Sequence, residues 1–133
     1  MIRLSAITRV FRMGDQEVRA LNGITLDIAS GEYVSIMGPS GSGKSTLLNV
    51  IGLLDRPDGG RYELDGSDVT VLSETEQARV RREKIGFVFQ SFHLVPRLTA
   101  AENIELPLIL EGVNPAERRS PVDAALDAFD LRD

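Results

Sequence analysis

Apolar and polar residues alternate along two stretches near the start of the chain, at residues 2–6 and 24–28. A period of two places every second side chain on the same face, so both stretches are predicted to be half-buried strands of an antiparallel sheet. Further along, a turn signal at residues 57–60 precedes a short strand-like run at residues 61–64. We therefore expect a small β insert in this part of the chain.

A strand-like apolar run at residues 33–37 leads into a glycine-rich loop and then into a helix-like run at residues 44–52. A second short apolar run, at residues 85–89, is predicted to be a buried strand. The chain thus presents strand, glycine loop and helix in that order, which is the context in which a glycine loop can bind phosphate.

Helices are predicted in the second half of the chain. Two capping-box spacings, each a Ser or Thr followed three residues later by Glu, predict helices over residues 74 to about 82 and 100–106. Pro107 is expected to kink or end the second of these helices. Another helix should open at residues 114–115, and Pro121 should break it.

The length and composition are those of one ordinary domain. With 42% hydrophobic residues among 133, the chain can build a single core. Its 20 acidic residues outnumber 15 basic ones, and the formal net charge of -5 argues against a nucleic-acid-binding surface. The absence of cysteine excludes disulfides and thiolate metal sites and fits a reducing cytoplasm. We find no signal-peptide pattern and no run of about 20 apolar residues, so any membrane association is expected to come through a partner.

The glycine-rich loop GPSGSGKS at residues 38–45 matches the phosphate-loop pattern G-x-x-x-x-G-K-[ST]. Its glycines permit backbone conformations that turn successive N–H groups toward a β-phosphate, and the N-terminus of the following helix points to the same place. The predicted nucleotide-contacting residues of the loop are Gly38, Pro39, Ser40, Gly41, Ser42, Gly43, Lys44, Ser45 and Thr46. Lys44 is placed for the β and γ oxygens, Ser45 for Mg²⁺ and Thr46 for the α-phosphate. An accidental glycine turn is the alternative, and a random chain of this length matches the pattern in roughly one case in a few hundred.

The loop, extended to residue 49, resembles that of ABC ATPases and also that of guanylate kinases. Later residues separate the two families. Residues 81–99 have the sequence RREKIGFVFQSFHLVPRLT and resemble the Q-loop region of the ABC ATPase subfamily that serves macrolide export and lipoprotein release. The resemblance continues through AENIELP at residues 101–107 and upstream in ALNGITLDI at residues 20–28, so it covers essentially the whole chain.

This resemblance implies an α/β fold in which a P-loop NTPase core of parallel strands and helices is joined to an N-terminal antiparallel β subdomain. It also implies that the chain is truncated before the signature motif and the Walker B strand, because no Leu-Ser-Gly-Gly-Gln string occurs. The expected division is residues 1–30 and about 57–72 for the antiparallel part, 31–56 and 84–90 for the core, and about 91–133 for the start of a helical subdomain.

The resemblance also implies ATP and Mg²⁺ as cofactors and adds site residues. Gln90 would coordinate Mg²⁺ and help to position the attacking water, which makes Lys44 and Gln90 the expected catalytic residues. Phe11 would stack on the adenine, with Val18 as an apolar wall behind the base. Two alternatives stay open from the residues alone, namely Gln90 as a solvated loop residue and Phe11 as a plain core aromatic.

Residues 92–98 are unusually apolar for a loop, and by resemblance they would form the surface touched by a transmembrane permease; burial in the protein's own core is the alternative. The implied location is peripheral, at the cytoplasmic face of the cell membrane, with a second nucleotide-binding subunit forming a homodimer. His93 is the only histidine and is expected to be a surface or packing residue. Arg79, Arg81 and Arg82 are expected to form a solvated helix face.

In complete form, a subunit of this family hydrolyses ATP to drive a permease. The chain shows no Walker B aspartate with its adjacent glutamate, no D-loop and no switch histidine, so we expect these 133 residues to bind ATP-Mg with negligible hydrolysis and to be marginally stable. A non-catalytic nucleotide-binding or docking module is the first alternative function. A P-loop nucleotide kinase is the second, although the sequence offers no arginine cluster for a nucleoside monophosphate.

Overall fold

The computed structural model describes residues 1–132, apart from the side chain of Met13. Within this range the chain forms two compact units, which meet in sequence between Phe87 and Val88. The first unit contains a sheet and two helices, and the second contains two helices. No helix of the described residues combines the length and the apolar character that crossing a membrane requires.

The first unit is built on a four-stranded sheet. Its strands are β1 (Ile2–Met13), β2 (Gln16–Ile28), β3 (Gly59–Leu64) and β4 (Ser67–Asp68), in the spatial order β2-β1-β3-β4. Each neighbouring pair is antiparallel, and β1 lies between β2 and β3. The antiparallel N-terminal sheet predicted from the alternation is therefore confirmed, as is the β insert predicted from the turn signal and the strand-like run at residues 57–64.

Helix α1 (Lys44–Ile51) begins directly after the glycine loop and packs into the core of the first unit through Leu47 and Val50. The hydroxyl of the buried Tyr62 donates a hydrogen bond to the carbonyl oxygen of Ile51 at 2.8 Å, and burial raises the pKa of that phenol to about 12. The core consists of Leu4, Ile7, Leu21, Leu47, Val50, Leu53, Tyr62, Leu64 and Val69. Because each fully buried aliphatic side chain contributes about 1.5–3 kcal/mol, this cluster fixes α1 against the sheet.

The strands predicted at residues 33–37 and 85–89 are not strands of any sheet in the described part of the chain. In the first run, Tyr33 is 94% exposed. In the second run, Val88 is fully exposed, so the prediction of a buried strand at residues 85–89 is wrong. Apolar sequence alone does not make a parallel strand, because its N–H and C=O groups need neighbouring strands as hydrogen-bond partners. Neither run is a strand of the four-stranded sheet that residues 1–132 form.

Helix α2 (Glu74–Lys84) carries the predicted capping box. Ser73 Oγ accepts a hydrogen bond from the backbone N–H of Glu76 at 3.3 Å, and the backbone N–H of Ser73 donates to Glu76 Oε2 at 2.8 Å. The helix ends two residues later than predicted. Arg81 is not a purely solvated side chain, because its guanidinium is half-buried and donates to the carbonyl oxygen of Leu53 at 2.6 Å.

In the second unit, helices α3 (Ala100–Leu110) and α4 (Pro115–Ala128) both run through a proline. Of the prediction that Pro107 kinks or ends the first helix, the ending is wrong, because α3 continues to Leu110. The prediction that Pro121 breaks the second helix is wrong as well. An internal proline costs about 3 kcal/mol, because it removes one hydrogen bond and crowds the preceding turn. Contacts between the two helices offset that cost, and they include an ion pair at 3.5 Å from Arg118 to Glu105.

The capping box predicts a pH dependence of stability. Hydrogen bonds from the Ser73 hydroxyl and then from its backbone N–H lower the pKa of Glu76 below its ordinary value. A carboxylate whose pKa is lowered by folding stabilises the fold above its unfolded pKa, and the contribution is lost as the pH falls through the folded pKa. At about pH 6, the free energy of unfolding of the unaltered protein should therefore exceed that of the Glu76→Gln variant. The difference between the two should shrink as the pH falls toward about 3.

Urea unfolding followed by circular dichroism at several pH values measures this difference. Glu83→Gln is the matched control, because Glu83 lies in the same helix outside the capping box. A difference between the protein and Glu76→Gln that stays constant over this range would contradict the prediction.

Candidate functional site

The glycine loop has the conformation that its sequence predicts. Gly41 and Gly43 have φ values of +79° and +89°, in the left-handed region that favours glycine. Gly43 is the N-cap of α1, and within the described structure no side chain forms a capping hydrogen bond to the first turn of this helix. The N–H groups at the start of α1 are therefore directed to the space above the loop, where the helix dipole favours an anion.

Gly43 also brings the loop into close contact with strand β2. A Cβ atom at this position would lie 2.3 Å from the carbonyl oxygen of Ala20, which is closer than any side-chain carbon can approach. The register between β1 and β2 shifts at the same place, because Arg9 pairs with Leu21 while Val10 pairs with Arg19, and Ala20 is left over as a bulge. The glycine and the bulge together place the loop against the strand that carries Val18.

Lys44 folds back over the beginning of the loop. Its Nζ atom donates hydrogen bonds to the carbonyl oxygens of Gly38 at 2.8 Å and Pro39 at 2.7 Å. Both acceptors are neutral backbone oxygens, and the two hydrogen bonds hold the Lys44 side chain beside the loop. Phosphate oxygens would be stronger, charge-assisted acceptors for the same group.

The loop and the sheet enclose a pocket of about 290 Å³. Eight of the residues predicted for the nucleotide line it, namely Phe11, Val18, Ser40, Gly41, Gly43, Lys44, Ser45 and Thr46. Gly38, Pro39 and Ser42 belong to the same loop but are not part of this lining. The predicted aromatic and the predicted phosphate loop therefore meet in one cavity, although 27 or more residues separate them in sequence.

Phe11 and Val18 lie directly opposite each other on β1 and β2. Phe11 is 39% exposed and Val18 is 47% exposed, so neither side chain is a core residue. An exposed aromatic next to an aliphatic side chain offers a π face and an apolar wall to a planar base. The alternative that Phe11 is a plain core aromatic is not supported by this exposure.

Sequence reasoning missed three residues around this pocket. Arg19 and Ala20 follow Val18 and also line the cavity, because the bulge changes which side chains of β2 face it. Arg9 lies over the ring of Phe11, with its guanidinium carbon 4.8 Å from the ring centroid. The strand period of two could have predicted that Arg9 lies beside Phe11, since residues 9 and 11 of β1 share a face.

Ser45 lines the pocket in the first turn of α1, and its part in Mg²⁺ binding stays a prediction. A hydroxyl oxygen suits this hard cation, which in nucleotide sites takes a few protein oxygens and completes its shell with phosphates and water. Among residues 1–132 no group of three or more acidic or histidine side chains is arranged to hold a metal ion.

Gln90 and the apolar loop at residues 92–98 belong to the second unit. Gln90 is exposed, and its part in Mg²⁺ coordination stays a prediction. Phe92 is 90% exposed, so this residue is not buried in the protein's own core. His93 packs edge-on against Phe89, with ring centroids 4.4 Å apart, in keeping with a packing role.

One side chain fastens the apolar loop. Asn103 accepts a hydrogen bond from the backbone N–H of Val95 at 2.8 Å and donates to the carbonyl oxygens of Leu98 at 3.1 Å and Thr99 at 2.9 Å. The loop is thereby held in shape while its apolar side chains stay accessible. An apolar groove of about 420 Å³ lies beside it, lined mainly by Leu94, Val95, Pro96, Leu98, Ala100 and Ile104.

Comparison with known proteins places these features in a family. The model of the family described as ABC transporter matches residues 21–133. The macrolide export ATP-binding/permease protein MacB of Brucella abortus is 55% identical over 133 residues, which are 100% of this chain and 21% of that protein. The uncharacterized ABC transporter ATP-binding protein YknY of Bacillus subtilis is 50% identical over 133 residues and is covered to 58%.

Among solved structures, the ATP-binding cassette MJ0796, a protein of Methanocaldococcus jannaschii, is similar to this chain. Its dimeric post-hydrolysis state bound to ADP and Pi aligns with a TM-score of 0.84 at 47% identity, over 96% of this chain and 56% of that one. A second dimeric structure of MJ0796 aligns with a TM-score of 0.80 at 50% identity, over 90% of this chain and 53% of that one. The chain thus spans between 21% and 58% of the length of these relatives.

Proposed function

The chain belongs to the ABC transporter family, and we propose that residues 38–46, Phe11 and Val18 bind ATP-Mg as part of a transporter ATPase subunit. The observation that carries this proposal is the pocket in which the phosphate loop and an exposed aromatic side chain meet. A phosphate loop alone binds many anions, whereas the addition of a π face at its side selects a ligand that has both phosphates and a base.

The loop provides the phosphate half of the proposed site. The N–H groups from Gly41 to Thr46 and the N-terminus of α1 bind phosphate oxygens, and Lys44 exchanges its two loop carbonyls for the β and γ oxygens. Ser45 provides one oxygen ligand to Mg²⁺. Mg²⁺ held there would supply positive charge that neutralises the phosphates.

The second unit contains the residues that we propose to link ATP hydrolysis to a permease. Gln90 is proposed to contribute its amide oxygen to Mg²⁺ and to orient the attacking water in the complete protein. The exposed loop at residues 92–98, fastened by Asn103, is proposed to contact a transmembrane permease. Brucella abortus MacB is named an ATP-binding/permease protein, and this name supports a permease partner for the present chain.

A second nucleotide-binding subunit is proposed as a further partner, because two structures of MJ0796 are described as dimeric. We propose that the complete protein hydrolyses ATP, acts at the cytoplasmic face of the membrane and serves export, with Lys44 and Gln90 in the hydrolytic site. The MJ0796 structure bound to ADP and Pi supports the hydrolytic part of this proposal.

Phe11→Ala tests whether the ligand is a nucleotide. Base stacking is worth about 1–3 kcal/mol, so the Kd of ATP should rise by about 5- to 150-fold. The Kd of inorganic tripolyphosphate should change by less than about twofold, since the phosphate loop is untouched. Both constants can be measured by isothermal titration calorimetry in the presence of Mg²⁺.

Phe92→Ala is the matched control, because Phe92 is also an exposed phenylalanine but belongs to the second unit. It should leave both constants unchanged. If Phe11→Ala weakens the binding of ATP and of tripolyphosphate equally, or weakens neither, the assignment of the aromatic to the base is refuted.

A further inference from the structure

Arg9 lies against the ring that the proposed function assigns to the base. Its guanidinium carbon is 4.8 Å from the centroid of Phe11, which is within the range of a cation–π contact. Phe11 lines the nucleotide pocket, whereas Arg9 is not part of the lining. The guanidinium therefore contacts this ring without itself being one of the residues that line the pocket.

Arg9 is held in this position by two carboxylates from a distant part of the chain. Its Nε and Nη2 atoms donate to the two oxygens of Asp55, both at 2.8 Å, and its Nη1 atom donates to Asp58 Oδ1 at 2.9 Å. The arginine and Asp55 side chains are 22% and 25% exposed, so this bidentate pair is largely shielded from water. The hydrogen bond with Asp55 is the main reason that the pKa of Arg9 is raised.

The same carboxylates connect strand β1 with the chain that follows helix α1. Asp58 Oδ2 accepts a hydrogen bond from the backbone N–H of Val10 at 2.6 Å, and this bond is the main cause that lowers the pKa of Asp58. The backbone N–H of Asp58 donates to the carbonyl oxygen of Thr8 at 2.8 Å. Asp55 in turn is anchored to the end of α1, because its N–H donates to the carbonyl oxygen of Asn49 at 3.2 Å. Helix α1 begins at the phosphate loop, so these bonds connect the element that carries the loop with the strand that carries Phe11.

We propose that Arg9 is a positioning residue for nucleotide binding, which orients the ring of Phe11 for the base and is itself fixed by Asp55 and Asp58. This inference rests on the proposed function and adds to it a residue that does not touch the ligand. The guanidinium covers one face of the ring and draws electron density from it, which favours an electron-rich purine on the other face.

The chemistry of this position requires arginine. Three of its donor atoms engage two carboxylates while its guanidinium carbon lies over the ring, 4.8 Å from the centroid. Lysine presents a single ammonium, which can pair with a carboxylate but cannot form the planar fork and stack at the same time. Arg9→Lys should therefore raise the Kd of ATP, as Arg9→Met should.

The test compares two ligands in the variants Arg9→Met and Arg9→Lys. Each substitution should raise the Kd of ATP by about 2- to 30-fold, the range of a cation–π contact, while the Kd of inorganic tripolyphosphate changes by less than about twofold. In a Phe11→Ala background, Arg9→Met should cause no further loss of ATP affinity, because the ring through which it acts is gone. Calorimetric titration with Mg²⁺ measures all of these constants, and melting temperatures confirm that each variant is folded.

Arg3→Met is the matched control, since Arg3 lies on the same strand and forms ion pairs with Asp27 and Glu63 without lining the pocket. It should leave the affinity for ATP unchanged. If Arg9→Met does not fold, Arg9→Lys and Asp55→Asn decide the question. Both should weaken the binding of ATP and leave the binding of tripolyphosphate nearly unchanged.

Three results would overturn the inference: unchanged ATP affinity in folded Arg9 variants, equal loss for ATP and tripolyphosphate, or a loss that persists in the Phe11→Ala background. These results differ from failure of the proposed function itself. If the unaltered protein does not bind ATP, or if Phe11→Ala does not weaken ATP, both are overturned. If Phe11→Ala weakens ATP and the Arg9 variants do not, only the role of Arg9 is lost.

Discussion

Lys44→Ala is expected to abolish the rise in melting temperature that ATP-Mg causes in this protein. The ammonium of Lys44 is the charged side chain held at the loop, and its two present partners are neutral carbonyl oxygens at 2.8 and 2.7 Å. Truncation removes the group that would bind the β and γ oxygens but leaves the glycine backbone in place. The folded state should therefore keep most of its stability and lose its affinity for the triphosphate.

The size of the effect follows from ligand linkage. A ligand that binds only the folded state at 100 times its Kd stabilises it by about 2.7 kcal/mol. For a domain of this size, each kcal/mol corresponds to about 3–5 °C in melting temperature. The unaltered protein should therefore show a shift of roughly 8–13 °C at that concentration, and Lys44→Ala should show almost none.

The chain offers a matched control, because Lys84 is its only other lysine. Lys84 lies at the end of α2 and forms an exposed ion pair with Asp65 at 3.5 Å. Lys84→Ala should keep the full shift with ATP-Mg. A Lys44→Ala variant that keeps the full shift as well would show that the loop is not the phosphate site.

Gly43→Ala is expected to destabilise the protein and to remove nucleotide binding. Alanine must adopt the left-handed φ of +89°, which costs about 1–2 kcal/mol. Its Cβ would also lie 2.3 Å from the carbonyl oxygen of Ala20, which is backbone and cannot rotate away. Overpacking of this kind adds about 1–3 kcal/mol, so the free energy of unfolding should fall by about 2–5 kcal/mol.

Gly41→Ala separates the two costs. Gly41 has a φ of +79°, but a Cβ there would meet nothing within 4 Å. Its loss of stability should therefore be limited to about 1–2 kcal/mol. Urea unfolding of both variants measures the difference, and equal losses would show that the loop does not pack against β2 as described.

The loop and the helix caps could be predicted because their determinants are local. The pattern at residues 38–45 and the spacing from Ser73 to Glu76 each contain the residues that form the hydrogen bonds, so a few consecutive positions suffice. The strand alternation at residues 2–6 is local in the same sense. Phe11 was assigned by resemblance to a family, and the structure places it beside the loop.

The rest depends on contacts between distant residues. Arg9 reaches Asp55 across 46 positions of sequence, and no local pattern connects the two. The runs at residues 33–37 and 85–89 have strand-like composition, yet a strand also needs neighbours that supply hydrogen bonds. The local rule for proline was overridden at Pro107 and Pro121, because packing between α3 and α4 outweighs the loss of one hydrogen bond in each helix.

The glycine loop and Phe11 are proposed to form one ATP-Mg site. Calorimetric titration of ATP into the protein in the presence of Mg²⁺ tests it most directly. We predict saturable binding of one ATP per chain, with competition by ADP and by inorganic tripolyphosphate, because the phosphates are bound by the loop and the base by the aromatic. Absence of saturable ATP binding by the folded protein, or binding that tripolyphosphate does not compete, would contradict the claim.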